Sequence, residues 1–159
     1  MQPLPYSADC FVCGHENVRG LKLRFFLDGE WVVSRCVLPP EYRGFLDRTH
    51  GGIVSALLDE TMGWASVLRC DRFTYTVELK VRFCRPVDVE QPLDVRARVT
   101  RHTRRLTFAE AEIRNGSDTV LAKAEGKFMA IGEDETREIA EMMIYDPGAW
   151  RFGEGVQSP

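Results

Sequence analysis

A histidine, two glycines and an acidic pair stand close together in the middle of the chain, as His50-Gly51-Gly52 and then Asp59-Glu60. Two glycines let the backbone turn sharply and leave its N–H groups uncovered. The start of a helix adds unpaired donors and the positive end of its dipole. Donors of this kind can bind an oxyanion or a thioester carbonyl. With a carboxylate following, the stretch is a candidate site for chemistry at a carbonyl group.

The same residues also have a purely structural interpretation. Two glycines before a helix can form an ordinary loop-to-helix turn, with His50 as a cap or a core residue. Asp59 can accept hydrogen bonds from nearby backbone or from an arginine across an interface. Glu60 can form an ion pair at the helix edge or at a subunit interface. Residue type alone leaves both interpretations open.

The segment from Ile53 to Leu68 predicts a helix, because it is rich in Ala and Leu and only Gly63 interrupts it. It is apolar around most of its circumference, which is typical of a buried helix. Small and polar residues recur at spacings of three and four and form one stripe: Gly52, Ser55, Asp59, Gly63 and Ser66. Asp59 belongs to this stripe, whereas Glu60 points toward the apolar side. A carboxylate on a buried helix is costly unless it is paired or used in chemistry.

Segments of period two on both sides of the helix predict strands. A first hairpin covers residues 21–27 and 31–38 around Asp28-Gly29, and later strands cover residues 93–99, 105–114 and 119–131. The longest strand runs from Thr74 to Phe83 and precedes Pro86. Its alternation predicts one buried face, formed by Tyr75, Val77, Leu79, Val81 and Phe83. The opposite face carries Thr74, Thr76, Glu78, Lys80 and Arg82.

These elements predict an α+β domain, an antiparallel sheet of about six strands wrapped around one long central helix. We divide the chain into an irregular segment at 1–17, the domain at 18–132, and a short helix with a loose tail at 133–159. The net charge of −3 argues against a nucleic-acid partner. No apolar run approaches the ~18 residues of a membrane span, and the first residues lack the features of a signal peptide.

Five cysteines, an odd number at scattered positions, predict reduced thiols and a cytoplasmic protein. Cys10-x-x-Cys13 with His15 has zinc-like spacing, but a tetrahedral site needs four ligands. No second pair appears in the sequence. We therefore expect no metal and a buried or turn-forming cysteine pair.

Taken together, the motif resembles the signature of the PaaI-like acyl-CoA thioesterases of the hotdog-fold superfamily, in which an acid follows the histidine at the separation of His50 and Asp59. The order of elements from 20 to 131 is similar too. The resemblance implies a hotdog domain at 18–132 that hydrolyses an acyl-CoA without a cofactor. It also implies a homodimer, or a dimer of dimers, with active sites at the subunit interface and no membrane partner.

The resemblance assigns roles to individual residues. Asp59 is the nucleophile or general base, and the N–H groups of Gly51 and Gly52 polarise the thioester carbonyl. His50 orients the loop. Thr76 matches a strand position at which relatives carry a Ser or Thr that helps to position water.

The remaining assignments concern the substrate. Glu60 is placed at the substrate beside the acid. Arg43, Arg48, Arg101 and Arg104 are candidate contacts to the phosphates of coenzyme A, since a guanidinium matches phosphate geometry. A solvated basic turn is the alternative for the last two.

One departure from the resemblance matters. Many relatives carry an Asn six residues before the histidine, and Gly44 stands there. The stretch Cys10-Phe11-Val12-Cys13-Gly14 resembles a branch in which that Asn is commonly absent. A non-catalytic module that binds acyl-CoA or another acyl ligand is therefore the alternative function. Hydratase chemistry on the same fold is a third, but its His and acid arrangement is not evident.

Overall fold

One long helix, α1 (Gly51–Cys70), forms the centre of the protein in the computed structural model, which describes residues 1–154. It is longer than the predicted helix at both ends. At the start, the His50 side chain accepts the Gly52 N–H and so caps the helix. At the end, Asp71 adopts the left-handed conformation and its N–H bonds to the Val67 carbonyl. Within residues 1–154, no helix is long and apolar enough to cross a membrane.

Within the described residues, seven strands form a single antiparallel sheet in the order β1-β2-β3-β7-β8-β9-β6. Their bounds are β1 Gln2–Pro3, β2 Phe26–Asp28, β3 Trp31–Val37, β6 Thr74–Phe83, β7 Pro92–His102, β8 Leu106–Asn115 and β9 Val120–Ala130. Two short strands, β4 (Arg43–Phe45) and β5 (Arg48–Thr49), pair separately in the loop before α1. A second helix, α2 (Glu133–Met142), follows the last strand. The predicted α+β architecture of one helix on one antiparallel sheet is confirmed.

Helix α1 packs on the inner face of the central strands, and small strand residues let it approach closely. Ala97, Ala111 and Ala124 are all buried under the helix. Gly126 on β9 is needed because a Cβ there would lie 2.6 Å from the Phe128 ring and 3.2 Å from Met62 of α1. Close packing of this kind fixes the position of the helix side chains relative to the sheet.

Strand β6 differs from the strict alternation that the sequence predicts. Its pairing with β9 shifts register between Thr76 and Glu78, which makes Val77 an extra, bulged residue. The phase of the side chains therefore changes along the strand. Thr76 reaches α1, and Leu79 and Val81 also pack against the core. The prediction that Thr76 lies on the face opposite Leu79 is wrong for this reason.

The prediction of a buried apolar face on β6 is only partly right. Tyr75, Val77 and Phe83 are more than half exposed, because β6 is the last strand of the sheet and no strand within residues 1–154 pairs with its free edge. Leu79 and Val81 are the residues of this set that pack on the core.

The two ends of the chain cover the C-terminal half of α1, which the sequence does not predict. Residues 21–25 pair with the N-terminal segment instead of β3, and the Leu23 N–H bonds to the Val12 carbonyl. The first strand of the predicted hairpin therefore begins at Phe26 and is shorter than expected. After α2, Trp150 is 1% exposed and its N–H bonds to the Pro3 carbonyl. The expectation of a loose tail is wrong up to residue 154, and residues 155–159 lie outside the described part.

Candidate active site

Asp59 lies on the face of α1 that meets strand β6. Its Oδ1 accepts a hydrogen bond from Thr76 Oγ1 at 2.9 Å. The bulge at Val77 turns Thr76 toward the helix, so the strand irregularity and the contact belong together. Burial raises the pKa of Asp59, and the hydrogen bond from Thr76 opposes that rise. A partly buried carboxylate held by one hydroxyl keeps a second oxygen available for chemistry.

Asp59 opens onto a cavity of about 230 Å³ between α1, β6, the N-terminal segment and α2. Trp64, Phe73 and Phe128 supply apolar wall, whereas Asp59, Glu60 and Thr76 supply polar groups. The cavity walls thus combine apolar surface with a few convergent polar groups, as small-ligand sites usually do.

The glycine motif lies at the N-terminal end of α1, eight residues before Asp59. His50 Nδ1 accepts the Gly52 N–H at 3.0 Å, so this donor is already used for capping. Among residues 1–154, no acceptor pairs with the Gly51 N–H. The expectation that both glycines offer free donors is therefore reduced to Gly51. Gly44, where relatives carry Asn, lies against His50, with 3.4 Å between its ideal Cβ position and the His50 Cα.

The four candidate arginines do not converge in one chain. Arg48 forms an ion pair with Asp88, and Arg43 donates to the Pro40 carbonyl. Arg101 lies over the Phe108 ring, and Arg104 is exposed in the β7–β8 turn.

The two pairs of arginines lie at opposite ends of α1. Arg43 and Arg48 precede the start of the helix. Arg101 lines a cavity with Arg69 near the far end, and 20 helical residues span about 30 Å.

Another cavity, of about 450 Å³, lies at the start of α1 and is lined by Arg48, Gly51, Phe83 and Arg85. Arg85 is a candidate phosphate contact that the sequence did not single out. Arg85 lies two residues after the end of β6 and has no motif around it, so its approach to Gly51 depends on the fold.

Among residues 1–154 of one chain, Glu60 forms no ion pair, and an ion pair at a subunit interface stays a prediction. Glu60 Oε1 lies 3.9 Å from Cys10 Sγ, and Cys13 stands beside both. Burial, together with the charges of Cys10 and Asp59, raises the pKa of Glu60 to about 8. A hydrogen bond from Cys13 lowers the pKa of Cys10 to about 5, and the pKa of Cys13 is raised in turn. The contact between Cys10 and Glu60 joins residues 50 positions apart, and no local sequence pattern predicts it.

Comparison with known proteins shows which family part of the chain resembles. The profile of the thioesterase superfamily matches residues 47–122, which include the glycine motif, α1 and strands β6 to β8. Over this stretch of 76 of its 159 residues, the chain is similar to the thioesterase superfamily. Its fold is the hotdog fold, a sheet wrapped around one central helix. No curated protein is significantly similar to the chain in sequence.

Solved structures show the same fold. A thioesterase superfamily protein is 25% identical, with a TM-score of 0.68 over 76% of this chain, which spans 62% of that structure. The PaaI protein of E. coli, from the phenylacetic acid degradation operon, is 21% identical, with a TM-score of 0.63 over 70% of this chain and 81% of its own. A Streptococcus mutans protein bound to acetyl-CoA is 15% identical, with a TM-score of 0.64 over 69% of this chain and 89% of its own.

Proposed function

We propose that this hotdog protein hydrolyses an acyl-CoA thioester to a free acid and coenzyme A, with each active site shared by two copies of the chain. Asp59 serves as nucleophile or general base, and the Gly51 N–H polarises the carbonyl. The observation that carries the proposal is the Asp59–Thr76 pair at a mixed apolar and polar cavity on α1.

The distance between the two groups requires a second copy. Gly51 and Asp59 are eight residues apart on one helix, which places them about 12 Å apart along its axis. The acid and the donor must both lie within roughly 3.5 Å of one thioester group. One chain cannot bring them to the same carbonyl. Two copies whose helices lie side by side can do so, with Gly51 of one facing Asp59 of the other.

The chemistry then follows from the two groups. The Gly51 N–H, at the positive end of the helix dipole, stabilises the negative charge that develops on the carbonyl oxygen. Asp59 attacks the carbonyl carbon or removes a proton from the attacking water. Thr76 holds one Asp59 oxygen and leaves the other to react. Hydrolysis adds water across the thioester and releases the carboxylic acid and the thiol.

The substrate class has two further supports. One structure of the same fold is described as bound to acetyl-CoA. In this chain, Arg48 and Arg85 line the cavity at Gly51, where the phosphates of a nucleotide-bearing thioester would meet cationic side chains.

Two complementary variants test the shared site. Asp59→Asn keeps the shape of the acid and is expected to lower kcat at least ~100-fold. Gly51→Pro removes the free N–H at the first helical position, where proline is well tolerated. His50 has φ −59° and ψ 135°, which suits a residue before proline. We expect kcat to fall about 10²-fold or more with no loss of thermal stability. Asp94→Asn, at an exposed ion pair on β7, is the matched control and should keep full activity.

Mixed dimers decide between one shared and two separate sites. When the two variants are co-expressed with different tags and purified as mixed dimers, one site regains both Asp59 and the Gly51 N–H. Activity on the best acyl-CoA of a panel should return to about half that of the unmutated protein. Mixed dimers as inactive as their parents would show that the site is not shared. Absence of turnover on every acyl-CoA tested would overturn the hydrolase.

The non-catalytic module remains the second candidate, because Gly44 replaces the Asn of relatives and Gly52 is occupied by His50. It predicts calorimetric binding of acyl-CoA without turnover.

A further inference from the structure

Three potential metal ligands meet at the wall of the Asp59 cavity. Cys10 Sγ, Cys13 Sγ and a Glu60 carboxylate oxygen all lie within 4.8 Å of one another. Two ligands of tetrahedral zinc lie roughly 3.6 to 3.8 Å apart, given the usual Zn–S and Zn–O lengths. The observed 3.9 Å between Cys10 Sγ and Glu60 Oε1 is close to this separation. The three groups therefore need to move little to bind one ion.

The backbone prepares Cys10 as a thiolate ligand. Its Sγ accepts the N–H of Val12 at 3.3 Å and the N–H of Cys13 at 3.5 Å. The turn closes with the Gly14 N–H bonded to the Cys10 carbonyl at 2.9 Å. A Cβ at residue 14 would lie 2.2 Å from that carbonyl oxygen, so only glycine fits. A tight turn whose amides point at sulfur stabilises negative charge on it.

The charge of the three-residue cluster has no cationic partner in the described part of the chain. Among residues 1–154, no lysine, arginine or histidine forms an ion pair with Glu60. His15, which shares the zinc-like spacing, is turned toward Arg24 instead. Thiolate and carboxylate groups packed together repel unless protons or a cation neutralise them. A divalent cation that prefers sulfur satisfies all three groups at once.

We propose that Cys10, Cys13 and Glu60 bind one zinc ion per chain. A fourth ligand, a water or an oxygen atom of a bound molecule, comes from the cavity that all three residues line. Three protein ligands with one open position are the usual composition of an accessible zinc site, whereas a purely structural site is closed by four. The site replaces the sequence-based expectation of no metal, because Glu60 supplies a ligand 47 positions beyond the cysteine pair. It does not depend on the proposed hydrolysis.

The test uses the full chain, reduced and freed of metal, without measuring activity. Zinc is titrated in competition with a chromophoric chelator, and bound metal is counted by mass spectrometry. We expect one zinc per chain. Cobalt(II) bound in its place should show sulfur-to-cobalt charge transfer and the visible bands of tetrahedral coordination. Less than about 0.1 zinc per chain after reconstitution, or cobalt bands without sulfur character, would overturn the proposal.

Variants identify the ligands. Cys13→Ser and Glu60→Gln should each weaken zinc binding at least about tenfold, and Cys13→Ser should also lower the charge-transfer intensity. Cys84→Ser removes an exposed thiol elsewhere and should change neither. Unchanged zinc affinity in both ligand variants would assign the metal to other residues. Circular dichroism of each variant separates the loss of a ligand from unfolding. Where a variant does not fold, the cobalt spectrum of the unmutated protein still tests whether sulfur binds the metal.

Discussion

At the scale of single residues, two adjacent carboxylates have separate surroundings. Asp59 and Glu60 are about 100° apart around α1. Asp59 faces Thr76 on the edge strand, and Glu60 faces Cys10 in the N-terminal segment. The spacings of three and four predict that Asp59 lies on the small polar stripe, but the strand alternation does not predict its contact with Thr76. The sequence cannot predict the placement of Glu60, since the approach of Cys10 depends on a segment with no regular secondary structure.

The Asp59–Thr76 hydrogen bond gives a prediction at this scale. Thr76→Val keeps the size of the side chain and removes the donor to Asp59. We expect kcat on the best acyl-CoA to fall roughly tenfold, less than for loss of the acid itself, because Thr76 orients the group that reacts. KM should change little. Steady-state kinetics measure both values, with Thr100→Val on β7 as a control. An unchanged kcat would show that Asp59 needs no support from Thr76.

At the scale of elements, strand β6 shows what alternation can and cannot predict. Its length and its end before Pro86 are read correctly from the sequence, and β7, β8 and β9 also lie where the pattern places them. The bulge at Val77 is not visible in the pattern, since a β-branched residue fits a regular strand equally well. Only pairing with β9 reveals the extra residue. The consequence is large, because without it Thr76 would face away from α1.

The strands β7 and β8 give a prediction on pH. Burial tends to raise the pKa of Glu112 on β8, but the guanidinium groups of Arg114 and Arg96 outweigh it, and the pKa is lowered below its ordinary value. Both arginines contact the same carboxylate oxygen. The folded protein therefore holds this proton less tightly than the unfolded chain. The stabilisation is present above the ordinary carboxyl pKa and is lost as the pH falls through the lowered one.

Glu112→Gln should accordingly lower the free energy of unfolding by about 1 kcal/mol at neutral pH. The difference from the unmutated protein should shrink as the pH falls below about 4.5. Urea unfolding at several pH values measures it. Asp118→Asn, whose carboxylate is exposed although it also pairs with Arg114, is the control and should have a smaller effect. A difference that grows toward low pH would contradict the assignment.

At the scale of the whole molecule, one side of the sheet ends in an open strand. In the described part of the chain, strand β6 pairs only with β9, and Val77 is 55% exposed beside Tyr75. Long edge strands with exposed apolar residues pair with further strands. Helix α1 is apolar on most sides, but segments before and after the central elements, within residues 1–154, cover much of that helix. The expectation of a dimer now depends on the β6 edge and on the distance between Gly51 and Asp59.

Sedimentation tests this expectation. The unmutated protein should be a dimer or a larger oligomer at micromolar concentration. Val77→Asp places a charge on the open edge and should shift the equilibrium toward monomer, with a parallel loss of activity because the site is shared. Val18→Asp changes another exposed valine, in the N-terminal segment, and should leave assembly unchanged. A fully active monomer would contradict both the dimer and the shared site.

The cavity beside Asp59 is lined by residues from two kinds of segment. Asp59 and Thr76 belong to α1 and β6, which also carry the core, whereas Ser7 and Met143 come from segments outside the central helix and strands. Substitutions in those outer segments can reshape the cavity without disturbing the packing that holds Asp59, the proposed reacting acid. Under the proposed function, selectivity and chemistry can therefore diverge separately in evolution, and a library restricted to the outer segments is the natural starting point for changing the acyl selectivity of the proposed hydrolase.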